Sequence, residues 1–388
     1  MLMGRPKGAP MSAASPIPER VFAETVLDFL APLRAHLDDP ACSEILVNGP
    51  DEVWIERRGK LARSNARFAS AEALEAAVRH VAQYAGKSLG PAHPILEARL
   101  PDGSRVEAVL PPASRRGACV AIRRFPKETL TMERLRTLGA ISPEACEALR
   151  LAVALAQNIV VAGGTGSGKT SMLNALGAYV PEGERVVVIE DASEIQLQLP
   201  HVVYLEARPA GPGGQGEVTI RQLLRATLRL RPDRIVLGEI RAGESLDLIQ
   251  AMTSGHGGCL STVHATYPAD TLRRLETMAL MSDVELPLEA LRAQVGSAVN
   301  LIVQVARMGD GSRKVTHVTQ CLGFAPGEGY RLVDLYLFRH RGADPATGKV
   351  RGALEPTRNP TPLADALLAR GHTLPEGLVP TQAEEQTR

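Results

Sequence analysis

A glycine-rich segment near the middle of the chain carries the residue types that grip a chain of phosphates. Gly163, Gly168, Lys169 and Thr170 fit the spacing G-x-x-x-x-G-K-S/T. Glycines have no Cβ atom, so successive backbone N–H groups can converge on a phosphate, while the lysine reaches the outer phosphates and the threonine hydroxyl can ligate Mg²⁺. The pattern predicts a P-loop with the phosphate-binding residues Gly163, Gly164, Thr165, Gly166, Ser167, Gly168, Lys169, Thr170 and Ser171.

Acidic side chains and a histidine follow three apolar runs further along the chain. Glu190 and Asp191 end the run RVVVI, with Glu194 close behind, whereas Glu239 ends RIVLG and His264 ends CLSTV. Ligands of a parallel sheet gather at the carboxyl ends of its strands, so we expect these side chains to lie beside the P-loop. There Glu239 would hold Mg²⁺ as a Walker-B acid, and the three acids after the first run supply a candidate general base for an attacking water.

Local patterning places a strand before the P-loop and a helix after it. Residues 158–162 form a short apolar run, and residues 171–179 resume a helical spacing of apolar side chains. Ser142 and Pro143 mark the start of an earlier helix. Further strands are predicted at 185–190, 235–237 and 259–263, and helices at 143–157, 220–230, 243–253 and 269–281. This alternation predicts a mostly parallel sheet flanked by helices.

The region before the P-loop domain shows a different pattern of short elements. An amphipathic helix over residues 22–37 contains Pro32, which we expect to kink or split it. Asp102 and Gly103 predict the tight turn of a hairpin. The remaining pattern predicts strands at 44–47, 53–55, 60–61, 95–100, 105–110 and 120–125, and a helix at 71–83. These elements predict a mixed α+β domain.

The composition of the 388-residue chain is that of a globular protein with an aliphatic core, since 44% of residues are hydrophobic and only 3% aromatic. The net charge of +1 gives no overall attraction to nucleic acid or anionic lipid. The five cysteines lie far apart without a C-x-x-C pair, so we expect no zinc site and no disulfide framework. No apolar run has the length of a signal peptide core or a membrane span, which predicts a cytoplasmic protein.

Composition and patterning divide the chain into six predicted regions. A leader rich in Pro, Ala and Ser and a polar tail are expected to be disordered. Residues 205–217, rich in Gly and Pro, are expected to be mobile. In order, the regions are a leader at 1–19, an N-terminal α+β domain at 20–130, a linker at 131–142, a P-loop domain at 143–325, a C-terminal extension at 326–379 with a strand at 330–338 and a helix at 362–370, and a tail at 380–388.

Four segments in series resemble motifs of the traffic ATPases of type II and type IV secretion. GGTGSGKT, IEDASEIQL, RLRPDRIVLGEIRAGE and TSGHGGCLSTVHA are similar to the Walker A motif, Asp box, Walker B motif and His box of that family. Upstream, SEILVNGPDEVWIERRGKL, LPDGSRVEAVLPP and AIRRF look like the N-terminal domain of the CpaF-like branch that powers Flp (Tad) pilus assembly. The resemblance implies an α/β fold, with a RecA-like P-loop NTPase domain built on a mostly parallel sheet and preceded by a smaller α+β, PAS-like domain.

Carried over by position, the resemblance also implies roles for single residues. Glu194 would orient or deprotonate the attacking water, and Glu239 would stand at the metal. His256 and His264 would sense the γ-phosphate and transmit its loss. The resemblance further implies that two arginines of the N-terminal domain lie over the phosphates of a nucleotide bound between domains, and the matching positions are Arg105 and Arg123.

Arginines recur every four residues along the helix predicted at 220–230. Thr219 and Gln222 fit a capping box at its start. We expect Arg221 to lie on a solvated face. Arg229 and Arg231, beside the Walker-B strand, either lie on the same kind of face or reach the nucleotide of a neighbouring subunit.

The resemblance implies a Mg²⁺-dependent ATPase, with ATP and Mg²⁺ bound and no zinc, that works as a homohexamer. It would power Flp/Tad-type pilus assembly or protein secretion, in the cytoplasm and at the inner membrane through platform proteins. One alternative is a type IV secretion or conjugation ATPase that moves protein or DNA, although near-neutral charge argues against nucleic-acid contact. Another is a scaffold that binds nucleotide without useful hydrolysis.

Overall fold

The computed structural model describes residues 19–57, 59–124, 130–211 and 215–381, with side chains described from residue 24. The predicted leader and tail therefore lie almost entirely outside the described residues, as does the centre of the segment 205–217. The chain forms two compact units, Met1–Lys127 and Glu128–Arg388. No helix in the described ranges combines the length and the apolar character that a bilayer crossing requires.

Unit 1 is an α+β domain with one antiparallel sheet. Its described helices are α1 (Glu19–Phe29), α2 (Arg34–Leu37) and α3 (Ala71–Tyr84), with a 3-10 turn at Ala31–Leu33. Its strands are β1 (Cys42–Asn48), β2 (Val53–Arg57), β3 (Lys60–Arg63), β4 (Ile95–Arg99), β5 (Arg105–Val109) and β6 (Cys119–Arg123). They lie in the order β3-β2-β1-β6-β5-β4.

Two local predictions in unit 1 are confirmed. The amphipathic helix is split at Pro32, where α1 gives way to the 3-10 turn and then α2. Strands β4 and β5 form the predicted antiparallel hairpin. At its turn, Gly103 has a φ of 84° and the Asp102 carboxylate accepts the backbone N–H of Ser104 at 2.9 Å. The turn is therefore closed by a side chain as well as by a glycine.

Unit 2 contains a long mixed sheet with helices on both faces. Its helices are α4 (Met132–Thr137), α5 (Pro143–Ala154), α6 (Lys169–Gly177), α7 (Ile220–Thr227), α8 (Glu244–Thr253), α9 (Pro268–Ala279), α10 (Leu288–Ala298) and α11 (Pro362–Ala369). Its strands are β7 (Ile159–Gly163), β8 (Val186–Glu190), β9 (Val202–Glu206), β10 (Arg234–Leu237), β11 (Leu260–Val263), β12 (Leu301–Arg307), β13 (Arg313–Ala325), β14 (Gly329–Ala343) and β15 (Val350–Pro356).

The strand order in unit 2 is β15-β14-β13-β12-β7-β11-β10-β8-β9. Pairing is parallel from β12 through β9 and antiparallel from β12 to β15. Alternate residues of β7 enter different cores, since Ile159 and Val161 pack with α5 and α6 whereas Val160 and Ala162 pack with α8 and α9. A sheet covered on both faces explains why its central strands are continuous apolar runs. The mostly parallel α/β fold is as predicted.

Several elements of unit 2 fall where the sequence suggested none. Residues 131–142, predicted as a linker, contain α4, whose N-terminus is capped by Thr131 accepting the backbone N–H of Arg134 at 3.2 Å. Helix α10 and strands β9, β12 and β13 were not predicted. The predicted extension 326–379 is not a separate layer, because β14 and β15 continue the sheet and Tyr336 is fully buried in the same core as α5.

Candidate nucleotide-binding and hydrolysis site

The P-loop connects the end of β7 to the start of α6 through backbone conformations that favour glycine. Gly166 and Gly168 have φ values of 68° and 97°. A Cβ atom on Gly163 would lie 2.4 Å from the carbonyl oxygen of Val305 and 2.5 Å from Oγ of Ser167, so this position has room only for glycine. The Ser167 hydroxyl donates to the carbonyl of Gly164 at 2.8 Å and tightens the loop. The result is a compact turn leading into the N-terminal end of α6.

This turn fits a polyphosphate. Helix α6 begins at Lys169, so the N–H groups of its first turn and its positive dipole end face the loop. Thr170 places a hydroxyl in the same turn. The described residues contain no cluster of three or more His, Cys, Asp or Glu arranged to hold a metal by themselves. A Mg²⁺ ion held by Thr170 and one acid would therefore take its remaining ligands from phosphate oxygens and water.

An ammonium, an imidazole and a carboxylate from three chain segments meet next to the loop. Nζ of Lys169 donates to the carbonyl of Gly164 at 3.1 Å and lies 3.4 Å from Nδ1 and 3.3 Å from Nε2 of His264. Nε2 of His264 lies 2.7 Å from Oε1 of Glu239. Burial, and then the charge of Lys169, lower the pKa of His264. A neutral imidazole suits both neighbours, because Nε2–H can donate to the carboxylate and the uncharged ring does not repel the ammonium.

The second oxygen of Glu239 is held by Arg241, a residue that the sequence analysis missed. Nε and Nη2 of Arg241 donate to Oε2 of Glu239 at 2.9 and 2.7 Å, and Nη1 donates to Asp191 at 2.8 Å. Both carboxylate oxygens of the predicted metal acid are thus engaged, one by His264 and the other by Arg241. A metal reaching this carboxylate has to displace at least one of these partners. The sequence feature that could have identified Arg241 is a cation two residues after an acid at the end of a strand.

The three acids after β8 separate into distinct positions. The Thr170 hydroxyl donates to Oε2 of Glu194 at 3.4 Å. Glu190 is only 5% exposed, and its Oε1 accepts the backbone N–H groups of Glu194 and Ile195 at 2.8 and 3.0 Å. Burial raises the pKa of Glu190 to about 7. Asp191 is paired with Arg241, so Glu194 is the acid of this group that lies at the Thr170 hydroxyl.

Residues 28–341 match the family described as type II/IV secretion system protein. The chain belongs to this family. It is 37% identical over 292 residues to a putative conjugal transfer protein of Mycobacterium tuberculosis, which covers 74% of this chain and 82% of that protein. It is 34% identical to the VirB11 ATPase of the Brucella suis type IV secretion system, solved in complex with sulphate, with 77% of this chain and 95% of that chain covered and a TM-score of 0.41.

The ATPase DotB of Legionella pneumophila shows the same fold at low sequence identity. It is 19% identical, with 78% of this chain and 81% of that chain covered and a TM-score of 0.52. Family membership and the P-loop geometry together make this secretion-family protein a P-loop ATPase. The relatives establish the family without singling out its CpaF-like branch.

In this secretion-family ATPase the two histidines of the His box lie at opposite ends of a strand. His264 follows β11 and reaches the P-loop, whereas His256 precedes β11. A Cβ atom on the next residue, Gly257, would lie 3.2 Å from the carbonyl of Ala156, which precedes β7. Strand β11 between them has four residues and spans about 13 Å. The structure therefore does not bring His256 to the phosphate edge, and direct sensing of the γ-phosphate by His256 is not supported.

Arg105 and Arg123, the predicted arginines of unit 1, lie directly opposite each other on β5 and β6. Arg105 also lies 3.8 Å from Glu97 of β4. They share one face of the antiparallel sheet, as a pair acting on one anion requires. Their contact with phosphates stays a prediction.

The capping box of Thr219 and Gln222 is confirmed, but the solvated face predicted for Arg221 is wrong. Arg221 donates to Asp247 at 2.7 Å and to Asp283 at 2.6 Å, and its side chain is 20% exposed. Arg221 therefore holds α7 against α8. Arg229 and Arg231 are exposed, which leaves their action across subunits a prediction.

Proposed function

We propose that this protein hydrolyses ATP in a Mg²⁺-dependent manner to move macromolecular substrates in a type IV secretion or conjugation system. The observation that carries the hydrolysis is the meeting of Lys169, Thr170, Glu194 and Glu239 at one edge of the sheet. The transport class is supported by relatives whose names place them in conjugal transfer and type IV secretion. This reading was the alternative in the sequence analysis, and the relatives favour it over pilus assembly.

Each residue of the edge has a task in the proposed reaction. Lys169 exchanges the carbonyl of Gly164 and the imidazole of His264 for phosphate oxygens. Glu194 orients the attacking water and accepts its proton, since its carboxylate already lies at the Thr170 hydroxyl. Thr170 and Glu239 would hold the metal. Mg²⁺, when bound, neutralises charge on the β- and γ-phosphates. Catalysis then rests on positioning and charge stabilisation rather than on a covalent intermediate.

The wider assembly follows from the sequence resemblance. The protein acts as a homohexamer on the cytoplasmic side of the inner membrane, where platform proteins of a secretion or pilus system recruit it. Arg105 and Arg123 contribute charge from unit 1, and Arg229 or Arg231 contributes charge from a neighbouring subunit. Flp-type pilus assembly is the second candidate, and it is favoured by the similarity of segments such as SEILVNGPDEVWIERRGKL and LPDGSRVEAVLPP in unit 1 to the CpaF-like branch.

Phosphate release by wild type and Glu194→Gln tests the hydrolytic role. Loss of the general base should lower turnover by roughly 10²–10⁴-fold while nucleotide binding persists. Equal, near-background rates in both proteins would favour a scaffold.

A mass measurement with and without an ATP analogue tests the hexamer, and a strict monomer in both conditions would contradict it. Co-purified partners separate the two transport classes, because conjugation and pilus platforms differ in composition.

A further inference from the structure

An arginine from the hairpin of β12 and β13 lies across the outer side of the P-loop. Nε of Arg313 donates to the carbonyl oxygen of Gly166 at 2.8 Å. Its Cδ atom lies 3.3 Å from where a Cβ of Gly168 would be, so the stem of the side chain packs along the loop. Arg307, directly opposite Arg313 in the hairpin, comes within 3.6 Å of the corresponding position at Gly166. The P-loop thus contacts side chains that lie more than a hundred residues later in the sequence.

The contact fixes the direction of one peptide group in the loop. A trans peptide is planar, with its C=O and the following N–H pointing in opposite directions. A carbonyl of Gly166 held by Arg313 therefore keeps the N–H of Ser167 turned away from Arg313 and into the loop, where it meets the carbonyl of Gly164 at 3.4 Å. That direction matters because the loop binds phosphate through inward N–H groups. Gly166 has a φ of 68° and no Cβ, and the bond from the Ser167 N–H is long at 3.4 Å, so the 2.8 Å bond from Arg313 is the stronger restraint on this peptide.

The start of β13, which carries Arg313, is held in place by neighbouring contacts. The next residue, Lys314, donates from Nζ to the carbonyl of Gly139 at 2.6 Å, and the backbone N–H of Val315 donates to the carbonyl of Ala140 at 2.7 Å. Val315 is completely buried. The start of β13 is therefore held on one side by the segment after α4, while Arg313 meets the P-loop on the other side.

We propose that Arg313 is a positioning residue for the P-loop, acting through its hydrogen bond to the carbonyl of Gly166 so that the loop is set for phosphate before nucleotide arrives. This proposal rests on the nucleotide-binding function proposed above. Arg313 need not touch the nucleotide. Its effect should appear in affinity and in KM more than in kcat, because bound phosphates hold the loop once it is filled.

Three substitutions separate the hydrogen bond from the charge. Arg313→Gln keeps an N–H donor the same number of bonds from Cα as Nε, but it removes the charge. Arg313→Met keeps an apolar stem without a donor or a charge. Arg313→Lys keeps the charge but has no N–H donor at the position of Nε. We expect Arg313→Met to weaken Mg·ADP binding roughly tenfold, the loss typical of one charge-assisted hydrogen bond. Arg313→Gln should stay within about threefold of wild type. Titration with a fluorescent ADP analogue measures both, and amide hydrogen exchange of residues 163–168 without nucleotide should be faster in Arg313→Met.

Arg331→Gln is the matched control, since Arg331 also donates to a backbone carbonyl of the same sheet, that of Leu322 at 3.2 Å. It should bind Mg·ADP as wild type does. The role of Arg313 would be overturned if Arg313→Met bound Mg·ADP and exchanged its P-loop amides as wild type does. It would also be overturned if Arg313→Lys kept the affinity for Mg·ADP and Arg313→Gln lost it, because the charge rather than the hydrogen bond would then matter. A wild-type protein that binds no Mg·ADP would instead overturn the nucleotide site and this proposal with it.

Discussion

The Glu190 side chain binds the backbone of Glu194 and does not lie where the Glu194 side chain lies. Oε1 of Glu190 accepts the backbone N–H of Glu194 at 2.8 Å, while the Glu194 side chain lies at the Thr170 hydroxyl. Two acids that look alike in sequence therefore have different environments, because Glu190 is buried whereas Glu194 lies beside the P-loop. The proposed base is held by a buried carboxyl group whose Oε1 is occupied by two backbone N–H groups.

The first prediction concerns the pH dependence of stability at Glu190. Burial raises its pKa from the usual 4.5 to about 7. The folded protein holds this proton more tightly than the unfolded chain, so the stabilisation is complete below about pH 4.5 and is lost as pH rises through about 7. Glu190→Gln keeps an oxygen for both N–H groups and cannot ionise. Relative to wild type, its free energy of unfolding should rise by up to about 3 kcal/mol from about pH 4.5 to about pH 8.

Denaturant unfolding at several pH values measures this difference. Glu182→Gln provides the control, because Glu182 is an exposed acid that precedes β8, at the end of the strand opposite to Glu190. It should follow the wild-type profile. Parallel profiles for wild type and Glu190→Gln would show that the buried carboxyl group does not titrate in this range.

The second prediction compares two neighbouring glycines of the P-loop. A Cβ on Gly163 would collide with the carbonyl of Val305 at 2.4 Å, whereas one on Gly164 would meet nothing within 4 Å. Gly163→Ala should lower the free energy of unfolding by about 1–3 kcal/mol and weaken nucleotide binding. Gly164→Ala should change stability by less than about 0.5 kcal/mol. Thermal unfolding and ADP titration test both, and equal effects would contradict the packing of β12 against the loop.

The third prediction concerns Arg241, which occupies Oε2 of Glu239. Arg241→Met removes a positive charge and a competitor from the proposed metal acid. The Mg²⁺ concentration that gives half-maximal ATP hydrolysis should fall by roughly two- to fivefold, a range set by a partly exposed ion pair. Arg273→Met is a control on the surface of α9, where Arg273 is 74% exposed. A higher Mg²⁺ requirement in Arg241→Met would mean that the arginine supports the metal site.

Local pattern was sufficient for the centre of the site. Glycine spacing located the P-loop, and the rule that strand ends meet at one edge brought Glu194, Glu239 and His264 to it. The role that the resemblance implied for His256 has no support from its position, because the two histidines of the motif are close in sequence but lie at opposite ends of β11. Motif membership alone carries no information about which edge of the sheet a residue occupies.

The supporting contacts could not be read from local pattern. Arg313 reaches the P-loop from β13, a strand that the sequence analysis did not predict, and its partner is a backbone carbonyl, which has no sequence signature. Arg221 looked solvated because helical spacing shows which residues share a face but not which acids of other elements pack there. Helix α4 was overlooked because its six residues are too few for a clear apolar period.

The central claim is that Lys169, at the start of α6, grips the phosphates that acids on neighbouring strand ends prepare for cleavage. Steady-state phosphate release from Mg·ATP, measured for wild type and Lys169→Ala at matched protein concentration, tests it most directly. The account predicts hydrolysis by wild type and a loss of at least about 10²-fold in Lys169→Ala, because removing one preorganised group that stabilises the transition-state charge typically costs that much. Equal hydrolysis by the two proteins would contradict it.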